Sequence, residues 1–165
     1  MGIVASANLN AEEVDIFWMQ HALMLAKKAE QEGEVPVGAV IIENNELIAE
    51  GWNKTIQLND PTAHAEIIAL RKAGQVKKNY RLVNLVMYVT LEPCPMCAGA
   101  LVHARIKKII IATNDPRTGC AGSLMNLIQN EKLNHQLDLE KGILQQESSE
   151  LIRQFFRRKR ATKKT

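Results

Sequence analysis

The chain has 165 residues and a mass of 18.5 kDa, enough for one domain around a single core and too little for two independent ones. Its 46% hydrophobic and 24% charged residues match globular averages and exclude a disordered, collagen-like or low-complexity chain. The formal charge of +3 conceals a split: seven of the 21 Lys and Arg fall between Arg153 and Lys164 with no acid after Glu150, which leaves 14 basic against 18 acidic residues, net −4, in the rest.

The first basic residue is Lys27 and no apolar stretch approaches membrane-spanning length, so a soluble cytoplasmic protein is expected, with neither secretory signal nor membrane span. Apolar residues at Val14, Phe17, Trp18, Ala22, Leu25 and Ala29 follow one helical face ending near Gly33. Val37 to Ile42 and Glu46 to Trp52 read as two strands joined by the turn chemistry of Glu43-Asn44-Asn45. Asp60-Pro61-Thr62 reads as a helix start, with the helix running to about Gly74. Leu85 to Leu91 and Ile109 to Thr113 are near-continuous apolar runs, as expected of strands covered on both faces.

Pro95 to Arg105 lies between those two runs and is apolar nearly all round, so it is read as a buried crossover helix joining a parallel strand pair. Asp115 to Gly122 is rich in turn residues, Leu137 to Leu139 is a last short strand, and Ser148 to Arg160 a final helix. Leu151, Ile152, Phe155 and Phe156 mark its packed stripe, and Arg153, Arg157, Arg158 and Arg160 face elsewhere. The expected fold is α/β: a three-layer α/β/α sandwich with a central mixed five-stranded sheet, one domain over 11–160 with flexible termini at 1–10 and 161–165.

Two segments carry the chemistry: Thr62-Ala63-His64-Ala65-Glu66 and, one strand later, Pro93-Cys94-Pro95-Met96-Cys97. Each falls where a helix begins, at the carboxyl end of the sheet, the usual place of a ligand crevice. Neighbouring helices would bring His64, Cys94 and Cys97 to one point. Imidazole and thiolate are habitual zinc ligands, and three of them leave a fourth position for water. Pro95 at the first helical position makes Cys94 the cap and puts Cys97 in the first turn, where unsatisfied N–H groups favour thiolates. Glu66, about 200° round an ideal helix from His64, is not placed to ligate the same metal but can reach the bound water as a proton shuttle. Such a set adds hydroxide to an amidine-like carbon and expels ammonia.

His64-Ala65-Glu66 with Pro93-Cys94-Pro95-Met96-Cys97 resembles the known zinc nucleobase deaminase signature H-x-E…P-C-x-x-C. From about Phe17 to Arg160 the chain is similar to the bacterial tRNA-specific adenosine deaminases, through Val35-Pro36-Val37-Gly38-Ala39-Val40, Gly51-Trp52-Asn53, Asp60 to Glu66, Thr90 to Cys94, Met96 to Ala100, Gly122 to Met125 and Phe155-Phe156-Arg157. The resemblance implies a cytidine-deaminase-like fold and a homodimer that converts the wobble adenosine of a tRNA anticodon to inosine. It assigns one zinc to His64, Cys94 and Cys97 and the proton shuttle to Glu66. It further implies contact of Asn53 with the flipped nucleoside, of Asp115 with the anticodon backbone, and of Val35 and Leu91 with the base as apolar walls. Cys120 and the first ten residues depart from the family pattern.

Other readings stand beside these. Cys94 and Cys97 alone suit a redox pair, and Cys120 as a fourth ligand would close the zinc site into a structural one. Glu66 reads also as a helix-surface acid, Asn53 and Asp115 as turn residues. His21 and His103 read as hydrogen-bonded packing residues, and His135 as structural, with RNA contact as the alternative. The basic helix is a solvated face, a membrane-surface helix, or the element that holds the anticodon arm through Arg157, Arg158 and Arg160; the acidic body favours the last, since it repels phosphate that the tail attracts. The competing functions are a deaminase of a free base or nucleoside, such as cytidine or guanine, and a non-catalytic RNA-binding scaffold.

Overall fold

A computed structural model describes residues 2–163; positions 1, 164 and 165, at the tips of the two expected flexible termini, lie outside the described residues. The elements run α1 (Ala11–Gln31), β1 (Gly38–Glu43), β2 (Glu46–Trp52), α2 (Ala65–Lys77), β3 (Val86–Leu91), α3 (Pro95–His103), β4 (Lys108–Thr113), β5 (Asp138–Lys141) and α4 (Gln145–Lys163). The five strands form one mixed sheet in the order β2-β1-β3-β4-β5. β1 pairs antiparallel with both β2 and β3, whereas β3, β4 and β5 are parallel. Asn44 and Asn45 turn the β1–β2 hairpin with φ of 49° and 64°, the left-handed pair that matches strand twist and that asparagine tolerates.

Period-two alternation divides the core between the faces of the sheet. Ala39, Ile41, Met87, Val89, Ile109 and Ile111 pack with Ala65, Ala69 and Ala73 of α2 and Ala98 and Leu101 of α3. Val40, Ile42, Tyr88, Ile110 and Ala112 pack on the other face with Trp18, Met19, Ala22 and Leu25 of α1. Ser148 at the start of α4 donates to the Thr90 carbonyl at 2.6 Å, tying that helix to β3.

Several boundaries differ from the sequence expectation. α1 begins three residues before Val14 because Asn10 and Glu13 form a reciprocal capping box. α2 begins at Ala65, not at Asp60-Pro61-Thr62: Asp60 accepts from the Thr62 amide and hydroxyl in a local turn, and His64 takes the N-cap position. β5 starts one residue later than expected and α4 is longer at both ends. In the first ten residues, Val4 bridges Glu46, Ala5 is 3% exposed, and Asn45 of the hairpin donates to the Ala5 carbonyl. Phe156, expected in the packed stripe of α4, is 42% exposed, and His103, expected as a packing residue, is exposed at the end of α3.

Candidate active site

The loop ends at the carboxyl edge of β3 and the entry to α2 meet at one point. Gly51 in β2 makes this possible: a Cβ there would lie 2.5 Å from the Ala65 carbonyl and 2.8 Å from the Ala69 nitrogen, so only glycine lets the first turn of α2 rest on the strand. His64 and Cys94 then hold matching positions, each the N-cap of its helix in an extended conformation, and neither side chain caps its own helix. They turn to each other instead. His64 Nδ1 lies 3.6 Å from Cys94 Sγ and 3.5 Å from Cys97 Sγ, and the three ligating atoms all lie within 4.8 Å of one another.

Electrostatics within this group are those of a metal site. The Cys97 thiol donates to Cys94, which with the His64 contact pulls the Cys94 thiol down to about 4. The same bond, with burial, pushes the Cys97 thiol far above its ordinary range. His64 is raised, chiefly by its hydrogen bond with Cys94. One imidazole nitrogen and two sulfurs that already carry one negative charge are a zinc donor set. Among the described residues no fourth His, Cys, Asp or Glu joins the group. Cys120 is fully buried and its thiol donates to the Thr118 carbonyl, so the closed four-ligand site is not what this structure builds.

Glu66 is 4% exposed in the first turn of α2, which rules out the surface-acid reading. Burial pushes its carboxyl up from the ordinary range, because a buried site disfavours the charged form. Above Glu66 and His64 opens a cavity of about 210 Å³ that also takes in Val35, Asn53, Leu91, Glu92, Asp115 and Thr118. Asn53 is 6% exposed, and its side-chain amide makes no hydrogen bond among the described residues. Asp115 lines the rim, but its carboxylate accepts from the Arg117 and Thr118 amides and the Thr118 hydroxyl, the turn chemistry of its own loop.

A second cavity of about 260 Å³ adjoins the first through Val35 and Thr55, with Ile56, Phe155 and Phe156 as its apolar lining and Lys159, Arg160 and Lys163 at its edge. Of the three arginines singled out on the last helix, the structure brings Arg160 here. Arg158 is engaged in an ion pair with Glu30 of α1, and Arg157 is exposed outside both cavities.

Sequence reasoning missed two buried carboxylates that shape the cavity. Glu34, 1% exposed, accepts from the Thr55 hydroxyl and the Ile56 and Gln57 amides. Glu92, 2% exposed, accepts from the loop that carries Asp115. Burial opposes the Glu92 charge, yet the hydrogen bonds from Ser123, Ala121 and Asp115 hold its carboxyl below the ordinary range. Each stands beside the short apolar stretch that leads to a motif, Glu34 before Val35-Pro36 and Glu92 before Pro93-Cys94, and that placement was the one available signal.

Residues 12–113 match the family described as the cytidine and deoxycytidylate deaminase zinc-binding region. The tRNA-specific adenosine deaminase of Haemophilus influenzae is 48% identical over 92% of this chain and 88% of its own length. The chain belongs to the tRNA-specific adenosine deaminase family. The Bacillus subtilis tRNA-specific adenosine deaminase is 44% identical over 91% of this deaminase and 93% of its own length. A solved structure from work on A-to-I editing by tRNA:A34 deaminases at the wobble position of transfer RNA superposes with a TM-score of 0.79 at 38% identity. It covers 82% of this deaminase and 98% of its own chain. Among the described residues no helix is long and apolar enough to cross a membrane.

Proposed function

We propose that this deaminase converts the wobble adenosine of a tRNA anticodon to inosine by zinc-dependent hydrolysis, and that His64, Cys94 and Cys97 hold the metal while Glu66 moves the proton. The observation that carries the reading is the placement of a three-ligand His/Cys/Cys group and one buried glutamate in a cavity of about 210 Å³. That is below the roughly 300 Å³ at which pockets for drug-sized ligands begin, so it takes a single heteroaromatic base and not a folded loop. A polynucleotide substrate must therefore unstack the reacting base.

When bound, zinc supplies Lewis-acid activation of a water molecule. Glu66 carries the two protons of the water in turn, one to the ring nitrogen beside C6 as the oxygen bonds C6 and one to the departing amine as the C6–N bond breaks, so that adenosine and water give inosine and ammonia. Burial that raises the Glu66 carboxyl suits it to both tasks. Val35 and Leu91 flank the base, the free amide of Asn53 reads its nucleoside, and Asp115 at the rim meets the backbone of the anticodon loop. Lys159, Arg160 and Lys163 around the second cavity attract the anticodon arm.

The protein acts as a cytoplasmic homodimer on this reading. Met96, Gly99 and Ala100, one face of α3 at helical spacing, are half-buried, and Leu124 and Met125 are 55% and 46% exposed; this apolar surface supports a second copy as its cover. Inosine measured by mass after incubation with an anticodon stem-loop carrying the wobble adenosine, and with free adenosine, cytidine and guanine, tests the activity. Inosine in the RNA that is lost in Glu66→Ala is expected; turnover of the free bases or nucleosides alone would defeat the RNA assignment.

A further inference from the structure

Glu92 directly follows β3 on the side of the metal group, two residues before Cys94, and its carboxylate is spent wholly on one loop. Oε1 accepts from the Asp115 amide at 3.1 Å and the Ser123 hydroxyl at 2.5 Å, and Oε2 from the Ala121 and Ser123 amides at 2.9 and 3.1 Å. The segment between β4 and β5 contains no helix or strand, and the backbone bonds within residues 115–127, the isolated Ala121–Asn126 bridge among them, join the loop to itself and not to the sheet. Beyond Glu92, the Cys120 amide bonds the Pro93 carbonyl at 2.8 Å. Gly119 lies so close that a Cβ there would sit 2.3 Å from Glu92 Cδ; the loop is wrapped on the carboxylate itself.

We infer that Glu92 is a positioning residue for the substrate, a buried anchor that holds the 115–123 loop as a fixed wall of the reaction cavity. The inference rests on the deaminase reading above and adds to it the reason an irregular loop can present Asp115 and Thr118 to the cavity at a constant place. Four convergent donors need an acceptor with two oxygens. Glutamine keeps the volume but offers one oxygen and turns its NH₂ toward two of the donors, so that the buried Ala121 amide or the part-buried Asp115 amide loses its acceptor. A loop so released must be ordered again by each incoming substrate, and the cost falls on binding and not on the chemical step.

Glu92→Gln and the milder Ser123→Ala, which removes one of the four bonds, test this by three measurements: zinc content, amide hydrogen exchange, and kcat and KM on the anticodon stem-loop. For Glu92→Gln, exchange at Ala121 and Ser123 is expected to accelerate about tenfold or more, with zinc retained. KM should rise about tenfold while kcat stays within about threefold. Ser123→Ala should move KM the same way by about threefold, and the double variant should be no worse than Glu92→Gln alone. Unchanged exchange, an unchanged KM, or a fall in kcat or zinc content at constant KM would each overturn the inference. If Glu92→Gln does not fold, an unchanged KM in Ser123→Ala does so alone. Wild-type protein that makes no inosine defeats the deaminase reading, while the exchange measurement still decides the role of Glu92.

Discussion

His64 Nδ1 and Cys94 Sγ lie 3.6 Å apart across thirty residues of chain, and each belongs to an N-cap residue whose side chain leaves its helix uncapped. Capping is worth roughly 1 kcal/mol, so two helix ends forgo that stabilisation to aim ligands at one point. The cost is recovered only when a metal binds the folded state. Chelation of the zinc should therefore lower Tm measurably, and Cys94→Ala should abolish both zinc retention and the Tm difference between treated and untreated protein. Cys120→Ser, by contrast, should keep one zinc per chain by elemental analysis, because its thiol bonds the Thr118 carbonyl and not the metal group.

The same pair sets a pH dependence in the metal-free protein. Cys94 is pulled down from the ordinary thiol range to about 4, first by the Cys97 thiol and then by His64, whereas Cys97 and Cys120 are pushed up. A depressed value means that the thiolate persists as pH falls and is lost only on passing through about 4. At pH 6, iodoacetamide should label Cys94 well ahead of the other two cysteines, as read by peptide mass. Labelling should decline below pH 5 and be blocked by added zinc. Equal labelling of all three would show that the His64–Cys94–Cys97 contact does not persist in solution.

Gly51 shows how far from the chemistry the site is determined. Gly51→Ala places a Cβ against the backbone of α2, 2.5 Å from the Ala65 carbonyl, and backbone cannot rotate aside as a side chain can. Overpacking of this kind costs roughly 1–3 kcal/mol. Because α2 begins immediately after His64, its displacement also moves a ligand, and errors of about 1 Å at a reacting centre cost roughly 10²-fold. Thermal unfolding and deamination rate together check this: a modest drop in Tm with a much larger fall in kcat is expected, and a loss of Tm alone would separate the helix from the ligand geometry.

The parts that were legible in the sequence are those governed by local chemistry. Near-continuous apolar runs located β3 and β4, the turn chemistry of Glu43-Asn44-Asn45 located the hairpin, and Pro95 marked the start of α3 because proline is tolerated only in a first turn. Asp60-Pro61-Thr62 misled for a related reason. It satisfies the local rules for a helix start, but the Asp60 side chain closes its own turn, and which of two competing caps prevails depends on where α2 rests on Gly51. Glu34 and Glu92 were illegible for a different reason: an acid one or two residues before a proline normally faces water, and only the tertiary path of the 55–57 and 115–123 segments supplies the donors that bury it.

Glu34 anchors another turn at the cavity. Its carboxylate holds the Thr55 hydroxyl and the Ile56 and Gln57 amides, the turn that follows Asn53 and separates the two cavities at Thr55. Glu34→Gln leaves donors facing an amide in a buried site and should destabilise the fold by roughly 1–3 kcal/mol. Denaturant titration measures that. Cleavage by a protease should appear first between residues 54 and 60, since Glu34 is the carboxylate that holds the Thr55 hydroxyl and the Ile56 and Gln57 amides of this segment; a loss of stability spread evenly without new cleavage would deny Glu34 its hold on the turn.

The charge of the last helix can now be apportioned. Arg158 is neutralised by Glu30, and Arg157 touches neither cavity, whereas Lys159, Arg160 and Lys163 edge the apolar chamber that adjoins the reaction cavity. Phosphate contacts release counterions, and each one lost reduces the slope of log K against log salt by roughly 0.7–0.9. Neutralising Lys159, Arg160 and Lys163 together should flatten the slope for anticodon stem-loop binding by about two to three, with zinc content unchanged. Arg158→Ala should leave the slope nearly as it was and instead loosen α4 from α1. Titrations at several salt concentrations distinguish the two. A larger slope change from Arg158→Ala than from the triple variant would mean that its pairing with Glu30 gives way to RNA, and that the acid of α1, not the arginine, is the group displaced on binding.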